Sequence, residues 1–430
     1  MSMKWGNSRL CLTLALACIL MSASSCRSYF KEFFTINPMP VDYRRELLVL
    51  DVRTVNDDRT NYKMQNGQIG PWSFGKLMAD MAPNPADPSS FVLAWLGTWM
   101  ADQDVNHFSS PKRTSMQRDV IGPWRAASGC PAQGTPTDGC VLDFSKAPFR
   151  LLAIVNRVDL GSTGEGRFVF CVTMNNIEQQ FTVILEYSLP PTQSLVGWAN
   201  AWHALGTRNY GSTQSYGPSC TDYNCGLEAI TTSFATRAAM QAGQIRTNED
   251  WLGYSSGDPR WEMREFKLAA DGLLHQSPLK QTPDASFNNS QRLIDFLNAN
   301  AAGIVTDTVT MDPTMLAASV YEHTPTEWTA VSDCEVMRRF AVNTCIGCHT
   351  TLETRTTLST HIQPRPANRE ATISDFLAGA VRMNNPRCSE RLESFQPLDE
   401  RAQFMRMLVN LPDPGPGAPM PFIHANARVH

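Results

Sequence analysis

The sequence predicts an α+β N-terminal domain carrying an antiparallel β-meander with helices, followed by a small all-α C-terminal domain. Three observations carry this. The runs FRLLAIVNRVDL, GRFVFCVTM and QFTVILEYSL are rich in β-branched and aromatic residues and follow one another with turn signals such as GSTGEG between them. Apolar residues recur at helical spacing in SSFVLAWLGTWMA, SLVGWANAWHALG and SQRLIDFLNANAAGI. Beyond these, two further helical stretches, SDCEVMRRFAVNTC and LDERAQFMRMLVN, open and close a second unit over residues 331–410.

Residues 1–25 read as an export signal. Lys4 and Arg9 give a positive start, LCLTLALACILM (residues 10–21) an apolar core, and small residues lead to Cys26. As a helix that core spans about 18 Å, short of the roughly 30 Å of bilayer hydrocarbon. Ala23-Ser24-Ser25-Cys26 resembles a bacterial lipobox, which would make Cys26 the lipidated first residue of a membrane-tethered protein in the periplasm or cell envelope. The alternative is ordinary cleavage nearby and a free protein. Residues 26–45 are then a tether and residues 46–315 the α+β domain. Within that domain ELLVLDV reads as a strand, SFGKLMADMA and LEAITTSFATRAAM as helices, and RWEMREFKLA as strand or helix; its first 80 residues could form a separate helical lobe. The Pro/Gly-rich stretch LPDPGPGAPM opens a flexible tail, residues 411–430.

Hydrophobic residues make up 42%, enough for extended cores, and charged residues only 18%. A net charge of −4 with no long basic run argues against nucleic acid as a partner. Twelve cysteines suit an oxidising compartment. Cys130/Cys140 and Cys220/Cys225 are near neighbours in polar loops, Cys334 and Cys388 flank the motif described next, and Cys171 in RFVFCV reads as a buried free thiol.

The stretch NTCIGCH places Cys345, Cys348 and His349 in the order Cys-x-x-Cys-His. Residues three apart on a helical turn share a face. Both sulfurs can therefore meet the two vinyl groups of a porphyrin, each S–H adding across a C=C bond to leave a thioether, while His349 binds the iron. This spacing is a haem c attachment signature. Three other readings compete. A redox dithiol lacks its usual βαβ context, a zinc site lacks a fourth ligand nearby, and a Cys345–Cys348 disulfide would close a tight ring. A helix leading into the motif and another closing the unit give it a cytochrome-c-like outline, with the two helices expected to cross as in class I cytochromes c. Leu352, Leu358, Ile362, Phe376, Leu377 and Phe395 could line the pocket. The distal ligand is open among His361, Met383 and a vacant position; His361 would give bis-His ligation and a lower potential, Met383 a higher one.

AIVNRVDL, GEGRFVF, QIRTNE, LNANAAGI and NTCIGCH together resemble a family of uncharacterised exported proteins of Gram-negative bacteria, in which an α+β domain precedes a segment with a haem-type motif. The resemblance implies covalent haem binding at Cys345, Cys348 and His349. It also implies a Thr-His-hydrophobic element, matched by Thr360, His361 and Ile362, which favours His361 as distal ligand. It implies no substrate.

Other chemistry is weaker. Gly253–Gly257, GYSSG, matches a nucleophile-elbow pattern around Ser255, but the run before it is a poor strand. Asn156, Arg157 and Asp159, with Glu165 and Arg167, put charges near strand ends, where they pair with each other or hold a ligand. Trp202-His203 reads as helix packing. The expectation is a lipid-anchored, c-type cytochrome-like electron carrier with an unidentified redox partner protein, rather than a substrate-converting enzyme. The alternatives are a binding lipoprotein with structural haem, and an oxidoreductase acting through its first domain.

Overall fold

The computed structural model describes residues 40–85, 87–160, 164–189, 193–211, 216–217, 219–250, 261–321, 333–349, 360–378, 381–382, 394–395 and 397–416. Cys26, Ser255, Leu352, Leu358, Met383 and Cys388 lie outside them. Among the described residues no helix is long and apolar enough to cross a membrane.

The centre is one eight-stranded antiparallel sheet. Its strands are β1 (Leu48–Val49), β2 (Phe149–Arg157), β3 (Glu165–Met174), β4 (Ile177–Ser188), β5 (Gln244–Glu249), β6 (Glu262–Leu268), β7 (Leu274–Ser277) and β8 (Ser319–Tyr321). Strands β1 to β6 pair in that order, and β7 and β8 share the outer edge of β6. The three sequence runs thus become consecutive strands β2, β3 and β4. ELLVLDV supplies only the two-residue β1, and RWEMREFKLA supplies β6, a strand.

Period-two alternation gives the sheet two different faces. On the first face Leu151, Ile154, Phe168, Phe170, Val183 and Leu185 pack under helices α1 (Phe74–Met81), α2 (Ser89–Gly97), α3 (Leu195–His203) and α4 (Tyr223–Phe234). Each of these helices except α2 starts on a side-chain cap, Ser73, Ser194 or Asp222, accepting a backbone N–H of the first turn. The aromatic rings interlock: Phe74 stacks on Phe149 at 3.9 Å and meets Phe170 edge-on at 5.6 Å, and Trp99 lies 4.9 Å from Phe266. Gly166 is needed here, since a Cβ would sit 2.4 Å from the Phe234 ring. At the far end this face carries a buried ion cluster, Arg113 with Glu262 at 2.6 Å and Arg264 with Glu262 at 3.1 Å.

Residues 333–416 correct the expectation of a small all-α, cytochrome-c-like C-terminal domain. The segment holds helices α7 (Cys334–Val342), α8 (Cys345–Cys348), α9 (Asp375–Ala378) and α10 (Pro397–Val409), but also hairpins β9/β10 (Ile362–Gln363, Thr372–Ile373) and β11/β12 (Val381–Arg382, Ser394–Phe395). Its first and last helices, α7 and α10, do not share a core with one another. Val336, Met337 and Phe340 of α7 pack against Leu293, Leu297 and Ile304 from α5 (Gln291–Ala299) and α6 (Ala301–Val305). Ala402, Met405 and Leu408 of α10 join the main core. Phe376, Leu377 and Leu398 settle on the second face of the sheet beside Leu152, Val155 and Val169. The apolar stripes of first and last helix find partners in the larger domain, so they have no reason to cross.

Both expected near-neighbour pairs, Cys130–Cys140 and Cys220–Cys225, are disulfides, and Cys334 is also disulfide-bonded. Cys171 is buried and free, its thiol pushed up to about 12 by burial.

Candidate functional site

The second sheet face carries rows of side chains that run across the strands. Leu48, Val155, Arg167, Glu186 and Gln244 are successive register partners, as are Val169, Ile184, Arg246 and Glu265, and then Thr182, Asn248 and Met263. Register brings Arg167 to Glu186 and Arg246 to Glu265, while Glu165 and Asp159 reach Arg167 and Arg157 from two residues away along the chain. Arg167 bonds Glu165 at 2.8 Å and Glu186 at 3.2 Å, and Arg246 bonds Glu265 at 3.0 Å and Glu186 at 3.4 Å. Arg157 holds Asp159 through two bonds of 2.9 Å, and Arg401 on α10 reaches the same carboxylate at 3.6 Å. The charges near the strand ends therefore do pair with each other. Arg157, Arg167, Glu186, Arg246 and Arg401 also line a cavity.

That cavity, ≈ 720 Å³ with its mouth included, lies between the sheet and the C-terminal segment. Its floor is the three rows. Its cover includes Cys345, His349, His361, Ile362, Leu377 and Arg401.

The motif is positioned by local chemistry. Thr344 caps α8, accepting the Gly347 N–H at 3.2 Å, and its hydroxyl donates to the Ala341 carbonyl at 2.9 Å. Gly347 lets this turn tuck under α7, since a Cβ there would lie 2.1 Å from the Ala341 oxygen. The Cys345 N–H donates to Thr282 Oγ1 at 2.8 Å and the His349 N–H closes the turn on the Cys345 carbonyl at 3.0 Å. Cys345 is 1% exposed, against Trp261 and Met263. Burial pushes its thiol above 9.0, opposed by the Arg246 charge.

His349 is clamped on two sides. Its ring stacks on Trp261 at 5.4 Å, and the Trp261 indole N–H donates to Asn248, whose amide nitrogen lies 3.4 Å from His349 Nδ1. On the other side is His361, with ring centroids 4.0 Å apart and planes at 41°. His361 comes from the β9/β10 hairpin. Its Nδ1 lies 3.1 Å from Ser374 Oγ, and its ring stacks on Phe376 at 5.0 Å. Burial, then the His349, Arg401 and Arg157 charges, hold His361 well below its usual value of 6.5, in the neutral form.

No family model, curated protein or solved structure matches the chain.

Of the sequence candidates, Cys345, His349 and His361 meet at this cavity, with Ile362 and Leu377 in its lining and Phe376 behind His361. His203 pairs instead with Glu46 at 2.7 Å, which leaves it a packing role. Sequence reasoning missed Trp261, Asn248, Arg246 and Glu186. A signal was present in QIRTNE: the strand is buried along its whole length, yet Arg246 and Asn248 occupy alternate positions on one face. Buried polar groups at period two mark a sheet face that meets something other than hydrocarbon.

Two cysteines and an acid, Cys220, Asp222 and Cys225, place ligand atoms within 4.8 Å of one another, but those sulfurs are joined in a disulfide. Among the described residues the Cys345 sulfur and the two imidazoles do not form such a group.

Proposed function

We propose that the chain is an exported, c-type cytochrome-like electron carrier. Cys345 and Cys348 would hold one haem covalently, His349 would be the proximal and His361 the distal iron ligand. The reading is carried by one observation: the motif's own His349 and His361 of the following segment bring their rings together at a cavity that Cys345 also lines.

The residue types present suit the group, and the two rings, with centroids 4.0 Å apart, would have to part for an iron to sit between them. The donor set is a thiol and two imidazoles, and the walls combine Leu48, Val155, Val169, Ile184 and Met263 with buried guanidiniums, as an apolar ring with acidic edges requires. Bound there, haem would supply a one-electron Fe(III)/Fe(II) couple. Trp261, Asn248 and Ser374 orient the two imidazoles, and α9 and α10 keep water from the sheet face. The disulfides agree with an oxidising compartment, and a lipid on Cys26 would keep the carrier near membrane-bound redox partner proteins.

The test is expression of the full chain in a host with a haem-attachment system, followed by intact mass and a pyridine haemochrome spectrum. One added haem and a c-type spectrum are expected, and both vanish in Cys345→Ser/Cys348→Ser. Colourless protein with no added mass sinks the proposal. A far-red charge-transfer band typical of methionine ligation in the ferric protein would move the distal role from His361 to Met383.

A further inference from the structure

We propose that the Cys220–Cys225 disulfide is a redox centre in its own right, independent of the haem reading, which takes two electrons from a dithiol by thiol–disulfide exchange. The geometry that points to it surrounds Cys225. This cysteine is the third residue of the twelve-residue helix α4, in the first turn, where the helix dipole favours an anion. Arg59, 166 residues away in sequence, places Nη2 2.9 Å from Cys225 Sγ. Its side chain is 1% exposed. Asp57 holds Nη1 at 2.9 Å and Glu228 holds Nε at 2.5 Å, while the rings of Trp72 and Tyr216 lie 5.6 and 5.0 Å from the guanidinium carbon.

These partners offset much of the Arg59 charge at a distance, but they aim Nη2 at the sulfur. A disulfide sulfur is a weak acceptor and gains little from that contact. A thiolate gains a charge-assisted hydrogen bond, roughly twice as strong as a neutral one. The arrangement therefore favours the reduced state over the oxidised one and makes the bond easier to break. One group opposes it. Asp222, the cap of α4, accepts the Cys225 N–H at 2.9 Å and brings a carboxylate oxygen within 4.8 Å of both sulfurs.

The Cys130–Cys140 disulfide supplies a contrast inside the same chain. Its cysteines are partly buried, as Cys220 and Cys225 are, and it too closes a short loop. Neither of its cysteines lies in a helix, and the Val141 carbonyl oxygen faces Cys130 Sγ at 4.0 Å. A carbonyl oxygen disfavours a thiolate, where Arg59 favours one.

The stabilised thiolate is the better leaving group. Attack then falls on Cys220, whose neighbours Ser219 and Thr221 are exposed. The first sulfur of the dithiol, its proton lost to solvent, bonds to Cys220 Sγ, and the electron pair of the broken S–S bond stays on Cys225. The second sulfur bonds to the first, displaces Cys220 and gives Cys220 its proton. One S–S bond breaks and one forms, two electrons enter the pair, and the dithiol leaves as a disulfide.

The test equilibrates the full chain with graded ratios of reduced and oxidised dithiothreitol, quenches in acid, alkylates the thiols and maps them by peptide mass, so that each disulfide reports its own constant. Reduction of Cys220–Cys225 is expected to have a constant at least about 100-fold larger than that of Cys130–Cys140, or about 59 mV at 29.6 mV per tenfold for two electrons. Arg59→Gln should cut that ratio about tenfold. Asp222→Asn keeps a good helix cap, removes the opposing charge, and should raise the ratio about threefold. Equal constants for the two disulfides in the unaltered chain overturn the proposal, and this outcome needs no variant to fold. A ratio that Arg59→Gln leaves unmoved, or that Asp222→Asn lowers, overturns it as well. None of these outcomes touches the haem reading, which is tested separately by haem attachment at Cys345 and Cys348.

Discussion

Strands β2 to β4 present two faces made by the same backbone and opposite in chemistry. One carries Phe168, Phe170, Val183 and Leu185 and meets helices through interlocked rings. The other alternates Val155, Val169 and Ile184 with Arg157, Arg167 and Glu186 and meets a cavity. The first face resembles any protein interior, where volume is what counts. The second is assembled by register, and its cost in buried charge is offset only by a complete set of partners. Packing thus holds the sheet rigid on one side while the other side is left to chemistry.

Three changes test that division. The largest effect is expected on the packed face. Phe170→Ala should cost about 4 kcal/mol of stability, read as a drop in urea midpoint, with little change in the cavity chemistry. A loss of the proposed porphyrin binding out of proportion to stability would break the division. Next, Arg246→Met strips the shared cation from Glu186 and Glu265 and should cost about 3 kcal/mol, whereas Arg246→Met/Glu186→Leu/Glu265→Leu recovers most of that loss. Equal stability of single and triple variants would show that the ion row is not a unit. The smallest effect is a slope. Burial raises the Glu165 carboxyl, but the Arg167 and Lys280 charges outweigh it and leave it below 4.5. The unfolded chain then binds the proton first, so this stabilisation is present above pH 4.5 and lost as pH falls through the lower native value. Glu165→Gln should flatten the acid limb of stability against pH, as urea titrations at pH 3 to 7 would show.

Much of the fold is legible residue by residue. β2, β3 and β4 are long enough, and β-branched enough, to declare themselves, and α3, α4 and α5 show their apolar stripes. What the sequence does not disclose is the destination of each stripe. The face of α7 with Val336 and Phe340 looks the same whether it meets α10 or α5, and only the competing surfaces of the larger domain decide. The site follows the same rule. Cys345 and His349 announce themselves by local spacing, and His361 by proximity to them. Arg246 and Asn248 come from strand β5 and Trp261 is the residue just before β6, and all three reach the motif only through long-range pairing. Arg157 and Arg167 were visible as charges but not as neighbours of an imidazole, because β2 and β3 align them with α10 only in three dimensions.

The near-complete enclosure of Cys345 has a consequence for timing. Cys345, with 1% of its surface accessible, could not be reached by a maturation enzyme delivering a bulky macrocycle once α8 has docked. If the proposed attachment occurs, it would have to precede closure of the chain. A polypeptide that folds too early would shut its own doorway and become a dead end for its assembly line.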